Sequence, residues 1–510
     1  MVARAVRASE VLIVGAGPTG LVLALWLTRL GVRVRIIDKA AEPGTTSRAL
    51  AVQARTLEHY RQIGLADAIV EGGLPLGAVN LWVAGRKIAR AAFGDMGKGL
   101  SPFPYALIFP QDEHERVLID RLLDAGVPVD RQVELAGFEE TGGRVIARLK
   151  RADGTEETCE AAYLAGCDGA SSAVRATLGV GFPGGTYEHM FYVADVEASG
   201  PAVNRELNGA LDEADFLAIF ALKREGHIRI VGAVRAEAEH RSGSLSWSDV
   251  STEIIDRLRL GVARVNWFST YHVHHRVAER FRRGRAFLLG DAAHIHSPVG
   301  GQGMNTGICD AVNLAWKIAD VLRGRATEGV LDSYEPERIG FARRLVATTD
   351  RAFTLITSRG PIARRVRVQV VPRVLPVLFR FSAFQRLMFR TISQTVINYR
   401  GSPLSTGRAG RVIGGDRLPW VPAIDNFAPL ASLAWQVHVY GEAPPALAAA
   451  CGARGLPLHT FGWRDEIGRT GLLRNAMYLV RPDGYVALAD RDATPSGLES
   501  YLDAHGLRKR

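Results

Sequence analysis

The sequence predicts an α/β fold in which a doubly wound domain binds a dinucleotide. Three observations support this class. A strand, a glycine turn, a helix and a second strand follow one another over residues 10–38. A further apolar strand at 285–289 leads into a long helix near 307–322. Strand-and-turn segments lie between these units, so helix-linked parallel strands combine with a β-rich insertion.

The first unit contains a glycine turn between an apolar strand, Val11 to Val14, and a helix from Thr19 to Leu30. The spacing is G-x-G-x-x-G. The first glycine permits the tight turn, the second lets the backbone approach a pyrophosphate, and the third lets the helix pack against the strand. The helix N-terminus then offers free N–H groups to the phosphates. The predicted phosphate-binding residues are Gly15, Gly17, Pro18, Thr19 and Gly20.

The second strand runs from Val32 to Asp38 and ends in an acid eighteen residues after Gly20, with Lys39 beside it. A carboxylate there accepts hydrogen bonds from both hydroxyls of an adenosine ribose and repels a 2′-phosphate. The unit therefore favours FAD or NAD over NADP as the tightly bound nucleotide. A glycine turn that binds no nucleotide is the alternative at this point.

The next elements are read from hydrophobic spacing. Helices are predicted over 55–70 and from Gln111 to Ala125, where Asp112 and Glu113 suit the positive end of the helix dipole. Strands and turns are predicted over 127–165. From 186 to 272 the strand character continues without a phosphate motif, which indicates an inserted β-rich domain that shapes a substrate pocket.

Length and composition fit a multidomain globular protein. The chain has 510 residues, 47% of them hydrophobic and 23% charged, which predicts roughly three domains. The net charge of +10 includes a cluster of arginines between Arg359 and Arg390. This stretch suits an anionic membrane or a phosphate backbone, but a solvated arginine face covering an apolar neighbour is the preferred interpretation. Nucleic acid is not expected as a partner, because no aromatic signature accompanies the charge.

The cysteines and the N-terminal residues indicate the cellular compartment in which the protein works. Cys159, Cys167, Cys309 and Cys451 form no C-x-x-C pair, so neither structural disulfides nor zinc are expected. No signal peptide precedes the first strand, and no uncharged apolar run approaches 18 residues. We therefore expect a cytoplasmic enzyme without a transmembrane segment.

Two further motifs carry a family resemblance. YLAGCDGASSAVR spans 163–175, and RAFLLGDAAHIHSPVGGQGMN spans 285–305. With the glycine turn, they stand in the order and spacing of the para-hydroxybenzoate hydroxylase family, and the chain resembles these group A flavoprotein monooxygenases over about residues 8–350. From 406 onward, including VRPDGYVALAD, it resembles the thioredoxin-like domain of the phenol and polyketide hydroxylase branch. Because that region lacks C-x-x-C, a structural or oligomeric role is expected for it.

The resemblance implies a fold and a domain plan. The fold is a Rossmann-like FAD-binding domain of the para-hydroxybenzoate hydroxylase type with an inserted β-rich substrate domain and a C-terminal thioredoxin-like domain. The implied boundaries are 1–185 and 273–350 for the discontinuous FAD-binding domain, 186–272 for the substrate domain, 351–405 for a helical connection and 406–510 for the C-terminal domain.

The resemblance also implies cofactor contacts. Asp291, after Gly290, would bind the ribityl chain of FAD, because a carboxylate accepts from its hydroxyls. Arg48 would lie near the pyrophosphate and Gln111 along the ribityl chain and flavin. Asp168 is associated with FAD and nicotinamide binding, with a strand-end cap as its alternative. The residues implied to border the isoalloxazine are Pro298, Gly300, Gly301, Gln302, Gly303, Met304 and Asn305.

The implied reaction is hydroxylation of a phenolic or polyketide-like substrate. In this family NAD(P)H reduces the flavin, O2 adds at C4a, and the hydroperoxide transfers oxygen to an activated ring. The Pro298 carbonyl is a candidate for positioning that group. Four residues in segments that border the pocket are candidate substrate contacts: His189, Tyr192, Tyr271 and His296. Residues of these types are more often hydrogen-bonded structural residues, and no catalytic base is named.

Other functions remain open. A Baeyer-Villiger or epoxidising oxygenase, or an enzyme that inactivates an aromatic antibiotic, would share this cofactor site and differ in the pocket. A membrane-surface or anionic-ligand binding protein would instead use the arginine-rich stretch. No metal is expected, because His272 and His274 share one face of a strand while His275 points away and no carboxylate has ligand spacing. A homodimer is left open.

Overall fold

A computed structural model describes residues 7–44, 49–211, 216–234, 245–250, 252–297, 300–357, 360, 362 and 365–508. Its strands, in chain order, are β1 (Arg7–Ala8), β2 (Val11–Val14), β3 (Val34–Asp38), β4 (Ala51–Val52), β5 (Leu74–Leu76), β6 (Ala78–Val83), β7 (Arg86–Ala92), β8 (Ala106–Ile108), β9 (Val129–Arg131), β10 (Val133–Thr141), β11 (Arg144–Arg151), β12 (Glu156–Ala161), β13 (Tyr163–Gly166), β14 (Gly184–Ser199), β15 (Leu207–Leu211), β16 (Phe216–Ala221), β17 (His227–Ala233), β18 (Gly261–Val277), β19 (Arg282–Arg283), β20 (Ala286–Leu288), β21 (His294–Ile295), β22 (Thr406–Ala409), β23 (Val412–Ile413), β24 (Gln436–Tyr440), β25 (Leu458–Phe461), β26 (Met477–Val480) and β27 (Val486–Asp490).

The described residues also form α-helices along the whole chain. They are α1 (Pro18–Arg29), α2 (Ala54–Gln62), α3 (Ala66–Gly72), α4 (Phe93–Gly97), α5 (Gln111–Asp124), α6 (Ala173–Thr177), α7 (Glu253–Arg257), α8 (Gly303–Leu322), α9 (Tyr334–Thr357), α10 (Val371–Leu378), α11 (Ser382–Ile392), α12 (Pro445–Arg454), α13 (Asp465–Thr470) and α14 (Pro495–Ala504). A π-helical turn, Val366–Val370, runs directly into α10. None of these helices is long and apolar enough to cross a bilayer, within the part of the chain that the structure describes.

The dinucleotide-binding fold is built on a six-stranded sheet with the order β19-β20-β13-β2-β3-β9. From β20 to β9 the strands are parallel, because helices such as α1 and α5 return the chain over the sheet. The predicted doubly wound α/β architecture is confirmed. Helix α1 begins one residue earlier than predicted, because Pro18 occupies its first turn, where the missing N–H costs no hydrogen bond.

A large antiparallel sheet covers one side of this unit, with the order β21-β18-β14-β17-β16-β15-β6-β7. Its long central strands β14 and β18 come from the predicted β-rich insertion. The sheet nevertheless extends beyond 186–272, since β6 and β7 join it through the parallel pairing of β6 with β15. That pairing joins residues more than 120 positions apart, so local pattern could not have shown it. The domain boundaries themselves remain a proposal.

The C-terminal unit has the sheet order β23-β22-β27-β26-β24-β25. Within it, β24 and β25 are parallel and β26 and β27 are antiparallel, with α12, α13 and α14 as connections and cover. This arrangement is that of a thioredoxin-like fold. Buried charges attach it to the rest of the protein: Arg481 donates to both carboxylate oxygens of Glu337 in α9, at 2.7 and 3.0 Å.

Candidate active site

The glycine turn follows β2 and leads into α1. Gly15 has a φ of +104°, and a Cβ added there would lie 2.3 Å from the carbonyl oxygen of Cys167. A Cβ on Gly20 would lie 2.0 Å from the carbonyl oxygen of Gly15. A Cβ on Gly17, in contrast, would meet nothing within 4 Å. The first and third glycines are therefore required by packing inside the protein, and the second faces the space where a phosphate would approach.

Asp38 ends β3 beside this turn. Its Oδ2 accepts a hydrogen bond from the Ala16 N–H at 2.7 Å, and its Oδ1 accepts from the Ala40 N–H at 2.8 Å. The carboxylate thus fixes the glycine turn and remains partly exposed at the same edge of the sheet, where a ribose could reach its remaining lone pairs. Lys39 is exposed. Arg48 lies outside the described residues.

The GD motif follows β20 and packs directly on the glycine turn. Gly290 has a φ of +57°, and a Cβ there would lie 2.7 Å from Thr19 Oγ1. A Cβ on Gly307, in the first turns of α8, would lie 2.3 Å from the same oxygen. The absence of side chains at both positions lets the N-terminal ends of α1 and α8 approach one another. Asp291 follows Gly290 and is exposed.

The DG motif follows β13, between the other two. Asp168 Oδ1 accepts a hydrogen bond from the Ser172 hydroxyl at 2.6 Å, and its Oδ2 accepts from the Val174 N–H at 3.0 Å. Asp168 therefore holds the turn that leads into α6, and its contact with FAD or nicotinamide stays a prediction. Arg175 links the motif to the GD turn by donating to the Ala292 carbonyl at 2.8 Å. The parallel register places the ends of β2, β13 and β20 side by side, so the three motifs meet at one sheet edge.

A buried carboxylate that the sequence analysis missed holds the GD turn in place. Asp310 Oδ2 accepts from the Gly290 N–H at 3.0 Å and from His294 Nε2 at 2.7 Å, and its Oδ1 accepts from Arg338 Nε at 2.5 Å. Burial opposes ionisation, but Arg338 and His294 outweigh it and hold the pKa of Asp310 below its usual value. The sequence did contain a sign of this site: Asp310 is a charged residue in the apolar run ICDAVNLAW, and a buried charge requires a partner.

The glycine-rich loop after β21 leads into the N-terminus of α8. Asn305 uses its whole amide to hold this loop. Its Nδ2 donates to the carbonyls of Ala51 and Gly301, and its Oδ1 accepts from the Gln53 N–H and the Thr56 hydroxyl. Gly300 and Gly301 have positive φ values of +78° and +61°. Asn305 therefore fixes the conformation of the loop by hydrogen bonds to the loop itself and to the segment 51–56 beside it. Met304 is partly buried against the core, and Pro298 lies outside the described residues.

His296 and Ser297 place polar atoms beside this loop. The His296 Nδ1 donates to the Ser297 carbonyl at 2.8 Å, since a carbonyl can only accept. Burial lowers the pKa of His296 to about 4, so its imidazole is neutral near pH 7 and Nε2 carries a lone pair. This Nε2 and the Ser297 Oγ are buried, and neither has a hydrogen-bond partner within the part of the chain that the structure describes. A Cβ on Gly303 would lie 3.8 Å from the His296 ring, at the start of α8.

One face of the eight-stranded sheet turns toward the loop. On it, Phe191 contacts Phe216 and Tyr271, with ring centroids 5.8 and 6.3 Å away. Phe220 lies on the same face of β16 and packs with Leu50, next to the segment that holds the glycine-rich loop. Phe216, Phe220 and Tyr271 are only half-buried. They form an aromatic wall, and its Phe220 end shares an apolar cluster with Ala51, which a Cβ on Gly301 of the glycine-rich loop would meet at 2.9 Å.

The two tyrosines predicted to border the pocket lie on opposite sides of this sheet. Tyr271 pairs with Phe191 on the aromatic wall, while Tyr192 is the next residue of β14 and points the other way. Tyr192 is buried between Phe268 and Trp247, with ring centroids 5.9 and 6.1 Å away. Tyr192 and Tyr271 therefore do not face the same pocket, because alternation along a strand separates neighbours, and the contact of Tyr192 with a substrate stays a prediction. The side chain of His189 lies outside the described residues.

Gln111 begins α5 close to the same region. Its backbone N–H donates to the Ala49 carbonyl at 3.1 Å, and its Nε2 donates to Glu115 Oε1 at 2.7 Å. The structure therefore brings Gln111 beside the chain that enters β4. Of the predicted histidine cluster, His274 Nδ1 lies 2.7 Å from the Thr186 hydroxyl. No group of His, Cys, Asp and Glu suited to a metal occurs among the residues that the structure describes.

These features fit FAD as the bound group. The N-termini of α1 and α8 have no side-chain cap and no acid in their first turns, so their N–H groups are available to an anion. Gly17 faces open space, and Ser297 Oγ is a buried polar atom without a hydrogen-bond partner among the described residues. An extended ligand that carries phosphates and a ring with polar edges would supply hydrogen-bond partners both to the helix N–H groups and to the buried polar group beside the loop.

Comparison with known proteins agrees with this geometry. Residues 8–349 match the model of a family described as the FAD binding domain. The chain is 38% identical over 419 residues to 6-methylpretetramide 4-monooxygenase of Streptomyces rimosus, covering 79% of this chain and 72% of that protein. It is 31% identical over 502 residues to a flavin-dependent monooxygenase of Mycobacteroides abscessus, covering 94% and 96%. The structure of OxyS anhydrotetracycline hydroxylase from Streptomyces rimosus superimposes with a TM-score of 0.77 at 28% identity, covering 99% and 100%.

Proposed function

This chain belongs to the FAD binding domain family of flavoprotein monooxygenases, and from that premise we propose that it hydroxylates an aromatic, polyketide-like substrate with NAD(P)H and O2. One observation carries the proposal: the three motifs meet at the ends of β2, β13 and β20, and the apolar cluster that contains Phe220 of the aromatic wall also contains Ala51, which lies against Gly301 of the glycine-rich loop. A dinucleotide bound along that edge would present its reactive ring to whatever lies against the wall.

The chain's own residues supply the binding site. The Gly17 turn and the N-terminus of α1 bind the pyrophosphate, and Asp38 accepts from the ribose. Asp291 accepts hydrogen bonds from the ribityl hydroxyls. The N-terminus of α8, ordered by Asn305, stabilises negative charge at the adjacent ring edge. Bound FAD supplies the redox chemistry that activates O2.

The aromatic wall favours a flat substrate. Phe216, Phe220 and Tyr271 offer ring faces and edges that a planar polycyclic compound can contact over a wide area. The relative named for 6-methylpretetramide, at 38% identity, supports a substrate of the aromatic polyketide class. Holding such a ring against the wall also removes water from the reacting region, as oxygen transfer requires.

His296 supplies a hydrogen-bond acceptor for the substrate. Its Nε2 lone pair is buried at the loop, and the Nδ1 bond to the Ser297 carbonyl fixes the ring orientation. A phenolic hydroxyl that donates to this Nε2 would become more electron-rich and more reactive toward an electrophilic oxygen. His296 thus activates the substrate by accepting its hydroxyl proton in a hydrogen bond.

The proposal also includes NAD(P)H as the reductant and the cytoplasm as the cellular compartment. NAD(P)H is an intracellular reductant, so an enzyme that consumes it works in the cytoplasm. The pocket must also admit the nicotinamide ring in one step of the cycle.

The test is a direct assay of the purified protein. It should carry a yellow flavin, and aromatic polyketides should stimulate NAD(P)H oxidation and yield a product with one additional oxygen atom. Asp291→Ala should fold and lose most of its flavin, while the matched control Asp332→Ala, at an exposed ion pair with Arg282, should retain it. A wild-type protein that binds no FAD, or that oxidises NAD(P)H without any oxygenated product across the panel, would refute the proposal.

A further inference from the structure

The basic excess of the protein comes from the arginine-rich stretch together with its flanks, residues 351–415. Residues 351–415 contain twelve arginines and no lysine, aspartate or glutamate. The remaining residues hold 51 of the 63 Lys and Arg against all 53 Asp and Glu, which leaves them with a formal charge of −2. A strong positive charge is therefore concentrated in one segment of an otherwise balanced chain.

The same segment exposes large apolar side chains. Among the described residues, most of the exposed large hydrophobic side chains lie between 362 and 396. Val374 is 47% exposed, Val377 49%, Phe381 59% and Leu387 55%. The preferred interpretation from sequence, arginines in solvent covering an apolar neighbour, accounts for the arginines alone. It leaves these apolar side chains without cover.

The exposed groups form one outward surface. Val374 and Val377 are three residues apart and lie along one side of α10, Val370 precedes Val374 by four residues at the end of the π-helical turn, and Phe381 follows in the link to α11. The opposite side of the α10–α11 pair is held to the protein body, where Phe389 is buried against Gly97 and Phe379 packs with the same cluster.

Two arginines flank the valine row. Arg373 and Arg380 are both exposed, and the structure pairs neither with a carboxylate among the residues that it describes. Arg373 instead donates to the Gln369 carbonyl of its own helical turn. We call Val374, Val377, Phe381 and Leu387, with Arg373 and Arg380, the arginine-apolar surface.

We propose that the arginine-apolar surface docks on an anionic lipid bilayer, with the apolar side chains in the interfacial layer and the arginines against lipid phosphates. Amphipathic helices with cationic and apolar groups bind such interfaces in this way. A second copy of the chain would place like charges opposite one another. A nucleic acid would leave the valines and Phe381 in water. The bilayer satisfies both the charge and the apolar area.

The test uses the full-length, FAD-loaded protein and large vesicles in a sedimentation assay. Vesicles of phosphatidylcholine containing phosphatidylglycerol should sediment the protein, and vesicles of phosphatidylcholine alone should not. Arg373→Gln with Arg380→Gln should lower the partition coefficient by about 25-fold, about fivefold for each charge near the surface. Val374→Asp with Val377→Asp should abolish vesicle binding.

Matched controls lie outside the surface. Leu123→Asp replaces another exposed hydrophobic residue, on α5, and Arg224→Gln removes an exposed arginine in the turn between β16 and β17. Both should sediment like the wild type, and all variants should keep the circular dichroism and flavin content of the wild type. The proposal is overturned if anionic vesicles do not bind the protein, if both surface variants bind as the wild type does, or if light scattering shows that Val374 and Val377 instead join two copies.

Discussion

Arg338 donates from Nε to Oδ1 of Asp310 at 2.5 Å, and both side chains are completely buried. Asp310 in turn holds the GD turn through the Gly290 N–H. Arg338 follows Glu337, which pairs with Arg481 of the C-terminal unit. Two adjacent residues of α9 therefore connect the GD turn to the thioredoxin-like fold. This connection gives that fold a structural role, which fits its lack of a C-x-x-C motif.

Arg338→Met should destabilise the protein by about 3–5 kcal/mol, because it leaves Asp310 buried without its strongest partner. The loop at Gly290 should also loosen, so FAD should dissociate more readily. Urea unfolding and flavin retention on gel filtration measure the two effects. Arg282→Met, which breaks an ion pair with the exposed Asp332, should cost less than about 1 kcal/mol. Equal losses in the two variants would contradict the argument.

Gly307→Ala should weaken FAD binding through overpacking alone. The new Cβ would lie 2.3 Å from Thr19 Oγ1 and 3.1 Å from Gly290 Cα, so α1 and α8 must separate at their N-termini. We expect a loss of about 1–3 kcal/mol in unfolding free energy and a raised dissociation constant for FAD. Gly452→Ala in α12, where a Cβ meets nothing within 4 Å, should be neutral or stabilising. Unchanged flavin affinity in Gly307→Ala would show that the close approach is not needed.

Tyr271→Ala and Tyr192→Ala should have different consequences, because the two side chains lie on opposite faces of the sheet. Removing Tyr271 should raise KM for the aromatic substrate and leave the fold intact. Removing Tyr192 should cost about 3–5 kcal/mol of stability, since it empties a buried site between Phe268 and Trp247. Substrate titration and thermal unfolding separate the outcomes. If KM rose in Tyr192→Ala and stayed unchanged in Tyr271→Ala, the substrate would contact the opposite face of the sheet and this assignment would be wrong.

His296→Phe should retain FAD and fold, but form less product for each NAD(P)H oxidised. The phenyl ring removes the buried Nε2 acceptor and keeps a similar volume. Product per reductant and flavin content are both measured directly, with His296→Gln as the variant that restores an acceptor. Wild-type coupling in His296→Phe would exclude the proposed contact with the substrate hydroxyl.

Acid should destabilise the protein between about pH 6 and 4 because of buried neutral histidines. Burial lowers the pKa of His438 to about 3, from a model-compound value of 6.5. The unfolded chain therefore binds a proton at this residue below pH 6.5 and the folded chain does not, so stability falls as pH falls by up to about 1.4 kcal/mol per unit. His438→Phe should reduce that slope in urea unfolding series, and an unchanged slope would refute this assignment.

The dinucleotide-binding fold was predictable because the sequence patterns that indicate it lie in short contiguous segments of the chain. The strand, glycine turn, helix and acid over 11–38 are contiguous, and Gly15 and Gly20 are required by the close approach of their neighbours. The GD and DG motifs follow strands in the same way, and the carboxyl ends of parallel strands necessarily share an edge. The sequence by itself therefore determined the α/β class, the meeting of the three motifs at one edge of the sheet and the β-rich insertion.

Only the tertiary structure decided which distant groups meet. Asp310 and Arg338 stand on two helices, and no local pattern shows that their buried faces oppose each other. The side of the sheet taken by Tyr192 and Tyr271 depended on the register of β14 with β18, since one residue of shift exchanges the faces. The exposure of Val374 and Val377 depended on which side of α10 the protein body covers. Each of these outcomes comes from long-range packing, which a linear sequence encodes but does not display.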